Sequence, residues 1–303
     1  MNYTFNNHLY YTIGGRKFGY RQTPHEKYEV VMGNIDYNHY KKSSWRDELR
    51  RTADCVLNEF GKDLVVFFSG GTDSEIVIRN FLEIGHKPRC VFLKFKDDYN
   101  APDAKEAEES ARDLGIDLEM IDFDVKEFYN SGEALWFSNQ IDCSQITYLM
   151  IYYQVMKLAA PAVMGGEMLL QREASLTSPS YWYHCFRENE DASAMRFSEK
   201  FKIPLVNEWF SYTPEMMLYY LEDFELQEVI SDPNSKKLSS VSSKNTILKS
   251  LFPEIRTKKK THGFEKLLGF NFESYRELSL DKIPRLEPSL DGIPVYKIME
   301  QLA

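Results

Sequence analysis

The sequence predicts an α/β fold, a three-layer domain in which helices cover both faces of a parallel sheet. Two observations predict it. From residue 44 to about 175, short apolar segments alternate with segments of helical spacing. One apolar segment, residues 64–68, is followed at once by Ser-Gly-Gly and then by a helix start. We therefore expect a central α/β domain at 44–175, a small β-rich appendage at 1–43 and a mainly helical substrate or lid region at 176–303.

The predicted elements follow in chain order. Apolar and aromatic residues on either side of the Gly14-Gly15 turn predict an N-terminal hairpin, and residues 30–32 predict a further short strand. The central segments predict, in order, helix 44–60, strand 64–68, helix 74–84, strand 89–95, helix 103–114, strand 118–123, helix 144–159 and strand 162–164. Gly61 directly follows the first of these helices, where glycine commonly ends one. Strands joined through helices form parallel sheets by right-handed crossovers.

Residues 69–74, Ser-Gly-Gly-Thr-Asp-Ser, form what we call the glycine loop, between a predicted buried strand and a predicted helix. Ligands of parallel sheets bind at the carboxyl ends of the strands, which is where this loop lies. Gly70 and Gly71 permit positive φ and close approach of a phosphate, and successive amides of such a turn form an anion-binding nest. Hydroxyl donors surround the same point, on Ser69, Thr72 and Ser74. The loop therefore predicts a nucleotide-phosphate site, the alternative being a plain turn capped by Ser74 or Asp73.

Asp73 adds a cation to this prediction. A carboxylate beside a polyphosphate is repelled unless a cation lies between them, and Mg²⁺ typically binds through one or two carboxylates plus substrate phosphates. The two commoner nucleotide motifs, G-x-x-x-x-G-K-[ST] and G-x-G-x-x-G, do not occur in the sequence. The sequence therefore predicts a bound nucleoside polyphosphate and Mg²⁺, with Asp73 as the metal ligand and as a catalytic residue.

The glycine loop resembles the S-G-G-x-D-S pyrophosphate-binding loop of the N-type ATP pyrophosphatases, the PP-loop superfamily, whose domain has a HUP/Rossmann-like fold. The superfamily includes asparagine, GMP and NAD synthetases, argininosuccinate synthetase, 7-cyano-7-deazaguanine synthase and tRNA thiolation enzymes. The chain is most similar to the C-terminal domain of asparagine synthetase and to 7-cyano-7-deazaguanine synthase. It is more loosely similar to phosphoadenylylsulfate reductases. The resemblance implies cleavage of ATP between its α- and β-phosphates.

The same resemblance extends to two other strand ends. In the family, the second strand helps to bind adenosine, which implies this role for Phe92 and Leu93. Asparagine synthetase has a Gly-Glu-Gly-(Ser/Ala)-Asp-Glu loop after the fourth strand, where this chain has Gly165, Gly166 and Glu167 but then continues Met-Leu-Leu. We expect the two glycines to contact the nucleotide and Glu167 to contact Mg²⁺ or pyrophosphate. The missing second acidic pair is a departure from asparagine synthetase.

A basic cluster follows in the C-terminal region of an otherwise acidic chain. Fixed cations stabilise the charge that develops on a leaving pyrophosphate, and similar enzymes bring basic residues from this region over the triphosphate. The prediction is that Arg256 binds ATP and that Lys258 and Lys259 are catalytic, the alternative being a solvated charged face. Reductases of the similar family use a C-terminal Cys, whereas here no Cys follows Cys185.

Composition limits the partners. The 37 Lys and Arg against 46 Asp and Glu give a net charge of −9, which argues against general nucleic-acid binding, although tRNA stays open. Apolar stretches are too short for a membrane span and the N-terminus lacks a signal-peptide pattern, so we expect a cytoplasmic protein that binds a small-molecule substrate. The four cysteines are far apart and form no C-x-x-C, which predicts neither a zinc site nor a redox pair. A homo-oligomer also stays open.

These observations predict an ATP-dependent, AMP-forming ligase of asparagine-synthetase-like type. A substrate oxygen, most simply a carboxylate, would attack the α-phosphorus, and ammonia or an amine would then take the acyl group. Glutamine-dependent asparagine synthetases carry a catalytic Cys after the initiator Met, where this chain has Asn2. Ammonia would therefore come from solution or from a separate subunit. The alternatives are sulfur transfer or adenylylsulfate use on the same fold, and a nucleotide-binding member without turnover.

Overall fold

The computed structural model describes residues 9–20, 22–23, 25–32, 44–143, 145–166, 169–172, 182–207, 209–217, 251–255 and 290–294. Its helices are α1 (Trp45–Phe60), α2 (Thr72–Glu83), α3 (Ala101–Leu114), α4 (Val125–Asn130), α5 (Glu133–Ile141), α6 (Ile146–Leu158) and α7 (Ser193–Phe201). Its strands are β1 (Leu9–Ile13), β2 (Arg16–Lys17), β3 (Tyr28–Met32), β4 (Val65–Phe67), β5 (Arg89–Phe95), β6 (Leu118–Phe123), β7 (Ala162–Val163), β8 (Leu169–Arg172), β9 (Trp182–Arg187), β10 (Leu205–Val206) and β11 (Leu290–Pro294). Within these residues, no helix is both long enough and apolar enough to cross a bilayer.

A five-stranded sheet forms the centre of the fold, and its strands lie in the order β10-β7-β4-β5-β6. All of its pairings are parallel. Counted in chain order from β4, the arrangement is 3-2-1-4-5, as in doubly wound folds, and the order reverses between β4 and β7. The predicted parallel α/β sheet is confirmed, and the reversal places a crevice at the carboxyl ends of β4 and β7.

Alternate residues of β4 point into two separate cores. Val66 packs on the side of α1, α2 and α3, whereas Val65 and Phe67 pack on the side of α4, α5, α6 and α7. All three are buried, which explains a continuous apolar run instead of alternating apolar and polar residues. The sheet is therefore covered on both faces, and the predicted three-layer arrangement is confirmed.

Local signals set the ends of several helices. The Ser44 side chain caps α1 by accepting a hydrogen bond from the backbone N–H of Asp47, at 3.1 Å. Gly61 follows that helix with φ of 84°, and Gly115 ends α3 in the left-handed region. These ends agree with the predicted ones within two residues.

Two antiparallel sheets flank the central one, with strand orders β2-β1-β3 and β11-β9-β8. The first confirms the predicted N-terminal hairpin and third strand, and Tyr11 and Ile13 of β1 join the core on the side of α4 to α7. The described residues after 175 include α7, β9, β10 and β11, and β10 completes the parallel sheet from beyond the predicted boundary at residue 175. Helices α4 and α5 were not among the predicted elements. The domain limits themselves stay a prediction.

Candidate active site

The glycine loop runs from the end of β4 into α2, as predicted. Gly71 is the N-cap residue of α2, and Gly70 has φ of 70°, in the left-handed region that favours glycine. A Cβ on Gly70 would lie 2.9 Å from the backbone nitrogen of Ala107, in α3. Glycine is therefore required at position 70 both by conformation and by the close approach of α3.

Two serine hydroxyls hold this loop in shape. Ser74 is 4% exposed, and its Oγ donates to the Gly71 carbonyl at 3.1 Å and accepts from the Ser69 backbone N–H at 3.2 Å. The Ser69 and Ser74 hydroxyl oxygens are 3.1 Å apart. The hydroxyl hydrogen of Ser74 is already used within the loop, so its contribution to anion binding is to fix the backbone amides.

The start of α2 faces the same region as the loop. The first N–H groups of any α-helix lack intrahelical acceptors and carry the positive end of the helix dipole, which suits an anion. In α2 these groups belong to Thr72, Asp73 and Ser74, because the Glu75 N–H already donates to the Gly71 carbonyl at 3.0 Å. These amides lie where the sequence predicts a phosphate site, and phosphate binding itself stays a prediction.

The first of the two glycines after β7 lies against the glycine loop. A Cβ on Gly165 would lie 2.8 Å from the Asp73 Cβ and 3.1 Å from the Ser74 nitrogen, and Gly166 has φ of 65°. Only a residue without a side chain allows this approach, so the structure brings together the two loops that the sequence predicted at one sheet edge. Glu167, the predicted second metal ligand, lies outside the described residues.

A cavity of about 440 Å³ opens at this edge, between the ends of β4, β5 and β7. Its polar wall contains Ser69, Asp73, Ser74, Asn100, Asp103, Gln145, Thr147, Tyr148, Gly165 and Gly166. Its apolar wall contains Phe67, Phe68, Val91, Phe92, Leu93, Phe95, Met150, Ile151 and Met164. A mostly preformed cleft of this size with a few convergent polar groups is typical of a small-molecule or cofactor site.

Phe92 and Leu93 line this cavity, and the end of β5 is held by an unpredicted residue, Asn100. Its Nδ2 donates to the Leu93 carbonyl and its Oδ1 accepts from the Phe95 N–H, both at 2.8 Å. Beyond the end of β4, the Asn100 side chain thus makes the hydrogen bonds to β5 that a neighbouring strand would otherwise make. The Leu93 N–H points to the same side as its carbonyl, because both groups of one strand residue share a direction. It is the donor that a nucleobase would meet there.

Sequence reasoning also missed Asp103, Gln145, Thr147 and Tyr148. Asp103 lies in the first turn of α3, and Gln145 caps α6, its Oε1 accepting from the Thr147 N–H at 3.2 Å. Their signal was available in principle, because helix starts that follow parallel strands gather at the ligand edge. What the sequence did not show is which side chains of each first turn face the cavity.

The other predicted site residues belong to the C-terminal basic cluster. Arg256, Lys258 and Lys259 lie outside the described residues, so their roles stay predictions. In the part of the chain that the structure describes, no three metal-ligating side chains cluster, and Asp73 and Asp103 are the carboxylates of the cavity wall. The predicted Mg²⁺ therefore rests on Asp73, whose carboxylate chemistry suits it when phosphates supply further oxygens.

None of the described cysteine side chains lines the cavity. Burial raises the pKa of Cys90 to about 12 and also raises the pKa of Cys55, and Cys143 is buried. A thiol attacks as its thiolate, so the raised pKa makes Cys55 and Cys90 poor nucleophiles. The side chain of Cys185 lies outside the described set.

Comparison with known proteins finds similarity among solved structures alone. No protein-family model matches the sequence, and no curated protein matches it. A predicted subunit of a tRNA methyltransferase from Methanocaldococcus jannaschii has a TM-score of 0.32 and 18% identity, over 63% of this chain and 88% of that chain. NMN synthetase from Francisella tularensis has a TM-score of 0.32 and 12% identity, over 72% of this chain and 97% of that chain. Similarity at this level says nothing about activity, and the function must be inferred from the cavity.

Proposed function

We propose that this protein is an ATP pyrophosphatase of the PP-loop type, which cleaves ATP to AMP and pyrophosphate while adenylating a small substrate. The observation that carries the proposal is the position of the Ser-Gly-Gly-Thr-Asp-Ser loop. It lies at the point where the strand order reverses and lines a cavity of about 440 Å³. Gly165, directly after β7, lies against Asp73 and the backbone of Ser74 from the neighbouring strand end.

The cavity has the two kinds of surface that a nucleoside triphosphate requires. Its apolar side at the end of β5, with Phe92 and the backbone of Leu93, suits the flat face and edge of adenine. Its loop side offers the backbone amides at the start of α2 to the phosphates. We infer that ATP spans the cavity from β5 to the glycine loop.

In the proposed reaction, a carboxylate oxygen of the substrate forms a bond to the α-phosphorus. The bond from that phosphorus to the α,β-bridging oxygen breaks, and pyrophosphate leaves. Ammonia or an amine then attacks the acyl carbon and AMP leaves. Mg²⁺ bound at Asp73 would supply neutralisation of the phosphate charge. The protein contributes position and fixed charge, so no side-chain nucleophile is needed.

The first prediction is that ATP is converted to AMP and pyrophosphate in equal amounts when the right carboxylate is present. A panel of carboxylates with ATP, Mg²⁺ and ammonia would be assayed for both products. Asp73→Asn, which keeps the shape of the side chain, should lower the rate by roughly 100-fold, because the triphosphate is then neither neutralised nor positioned. Glu108→Gln, on the exposed surface of α3, is the control and should keep the rate.

Two results would contradict this proposal. Release of ADP and phosphate would place cleavage at the β,γ-bond. Tight calorimetric binding of ATP without pyrophosphate from any carboxylate would instead support a nucleotide-binding member without turnover.

The second prediction separates ligase chemistry from sulfur transfer. Cys55→Ser, Cys90→Ser, Cys143→Ser and Cys185→Ser should each keep pyrophosphate release within about twofold, because a direct attack of substrate on ATP requires no thiol. Circular dichroism would confirm that each variant is folded before its rate is compared. A loss of more than tenfold in one folded variant would favour sulfur transfer and identify the thiol.

A further inference from the structure

We propose that Asp103 binds the ribose hydroxyls of the nucleotide and so makes the site specific for ribonucleotides. This inference rests on the proposed function, because it takes the cavity to be a nucleotide site. It assigns a subsite to a residue that no sequence motif indicates. The route of α3 along the cavity carries it.

Helix α3 runs from the nucleobase end of the proposed ATP site to the glycine loop. Just before the helix, Asn100 is hydrogen-bonded to Leu93 and Phe95 at the nucleobase end of the cavity. In the second turn of the helix, the backbone of Ala107 lies against Gly70 of the glycine loop, at the phosphate end. One helix therefore spans the distance between the base and the phosphates.

Asp103 lies between these two contacts. It is one turn before Ala107, about 6 Å along the helix axis, so both residues lie on one face of α3. Asp103 is 7% exposed and lines the same cavity as Phe92 and Ser69. In any nucleotide the ribose lies between base and phosphates, so Asp103 faces the place of the sugar.

The chemistry of a carboxylate fits this place. An ionised carboxylate only accepts hydrogen bonds, and the 2′- and 3′-hydroxyls of a ribose can both donate. Its two oxygens offer about four acceptor positions, enough for a sugar in addition to contacts within the protein. Beside the phosphates the same charge would be repelled unless a cation lay between them, a place that the proposed function already gives to Asp73. A buried carboxylate is therefore better explained by the sugar than by the phosphate part of the ligand.

The test compares ATP with 2′-deoxy-ATP and 3′-deoxy-ATP. The unmodified protein should show at least about tenfold higher kcat/KM for ATP than for one of the analogues, since a hydrogen bond to a charged group contributes about this much. Asp103→Ala should lose that discrimination, because its kcat/KM for ATP should fall to the value for the analogue. Glu108→Ala, exposed on the same helix, should keep the discrimination.

A structural or metal role for Asp103 would give a different result. The ribose assignment is overturned if Asp103→Ala lowers kcat/KM equally for all three nucleotides. It is also overturned if the variant needs a higher Mg²⁺ concentration for half-maximal activity with each nucleotide. Should this variant not fold, calorimetry on the unmodified protein decides, because equal affinity for ATP and both analogues also overturns it. Equal affinity for the three nucleotides would leave the proposed ATP cleavage unaffected. Tight ATP binding without pyrophosphate release would contradict the proposed cleavage but not the ribose assignment.

Discussion

Gly70→Ala should lower kcat/KM for ATP by about 100-fold or more, because a displacement of about 1 Å at a site of this kind already costs that much. The new Cβ would lie 2.9 Å from the Ala107 nitrogen and 3.1 Å from its Cα, and both are backbone atoms that cannot turn away. The residue would also have to keep φ of 70°, which costs an L-residue roughly 1–2 kcal/mol. The loop or α3 must therefore move, and the amides that cradle the phosphates move with it.

Gly85→Ala is the matched control for this prediction. Gly85 has φ of 80°, but a Cβ there would meet nothing within 4 Å. Gly85→Ala therefore introduces the same backbone strain as Gly70→Ala but no close contact. We expect it to lower the free energy of unfolding by about 1 kcal/mol and to leave ATP turnover unchanged. Pyrophosphate release and thermal melting of both variants give the comparison. Equal loss of turnover in the two would show that the contact with α3 is unimportant.

The sequence predicted the ligand edge well because the edge follows from topology. Once the segments around residues 64–68 and 162–164 were predicted as parallel strands, their carboxyl ends had to share one side of the sheet. Gly165 does lie at the same edge as the glycine loop, and its close approach to Asp73 is a detail that the sequence did not predict. The fold class and the meeting of the two loops therefore rest on general rules of parallel sheets.

The rest of the site depends on which side chains of each helix face the cavity, and a single sequence does not show this. Asn100 and Asp103 follow β5 in what reads as an ordinary helix start, and only the angle of α3 decides that Asp103 faces the cavity. Ala107 has the same ambiguity, because an alanine in a helix gives no sign that a glycine backbone lies against it. Helices α4 and α5 are short, at six and nine residues, and helices of this length depend on the tertiary contacts that stabilise them, which the sequence does not show.

Arg196→Met should lower the free energy of unfolding by about 3–5 kcal/mol, because it leaves buried carboxylates without their cation. The Arg196 guanidinium is fully buried, 3.3 Å from Asp142 Oδ2 and 3.8 Å from Glu188 Oε1. Its Nε and Nη2 donate to the Gly19 carbonyl, each at 3.2 Å. It thereby joins α7 to the N-terminal sheet across the core. We expect the melting temperature to fall by about 10 °C, and the amides of β1 to lose protection from hydrogen exchange.

The surface offers a control, an arginine that also pairs with two carboxylates but is partly exposed. Arg50 pairs with Asp47 and Glu83 but is 41% exposed, so Arg50→Met should cost less than about 1 kcal/mol. If Arg50→Met and Arg196→Met were equally destabilising, burial of the charge would not be the cause.

The double variant Arg196→Met with Glu188→Gln distinguishes lost attraction from uncompensated charge. Glu188 is itself fully buried, so in the single variant its carboxylate has lost a cation and gained no water. Replacing that charge with an amide of the same shape removes the desolvation cost, and the double variant should be more stable than Arg196→Met alone. If it is instead less stable by the sum of the two single effects, the two residues are independent. Arg196 would then stabilise the fold mainly through the Gly19 carbonyl and the Tyr11 ring, whose centroid lies 5.0 Å from the guanidinium carbon.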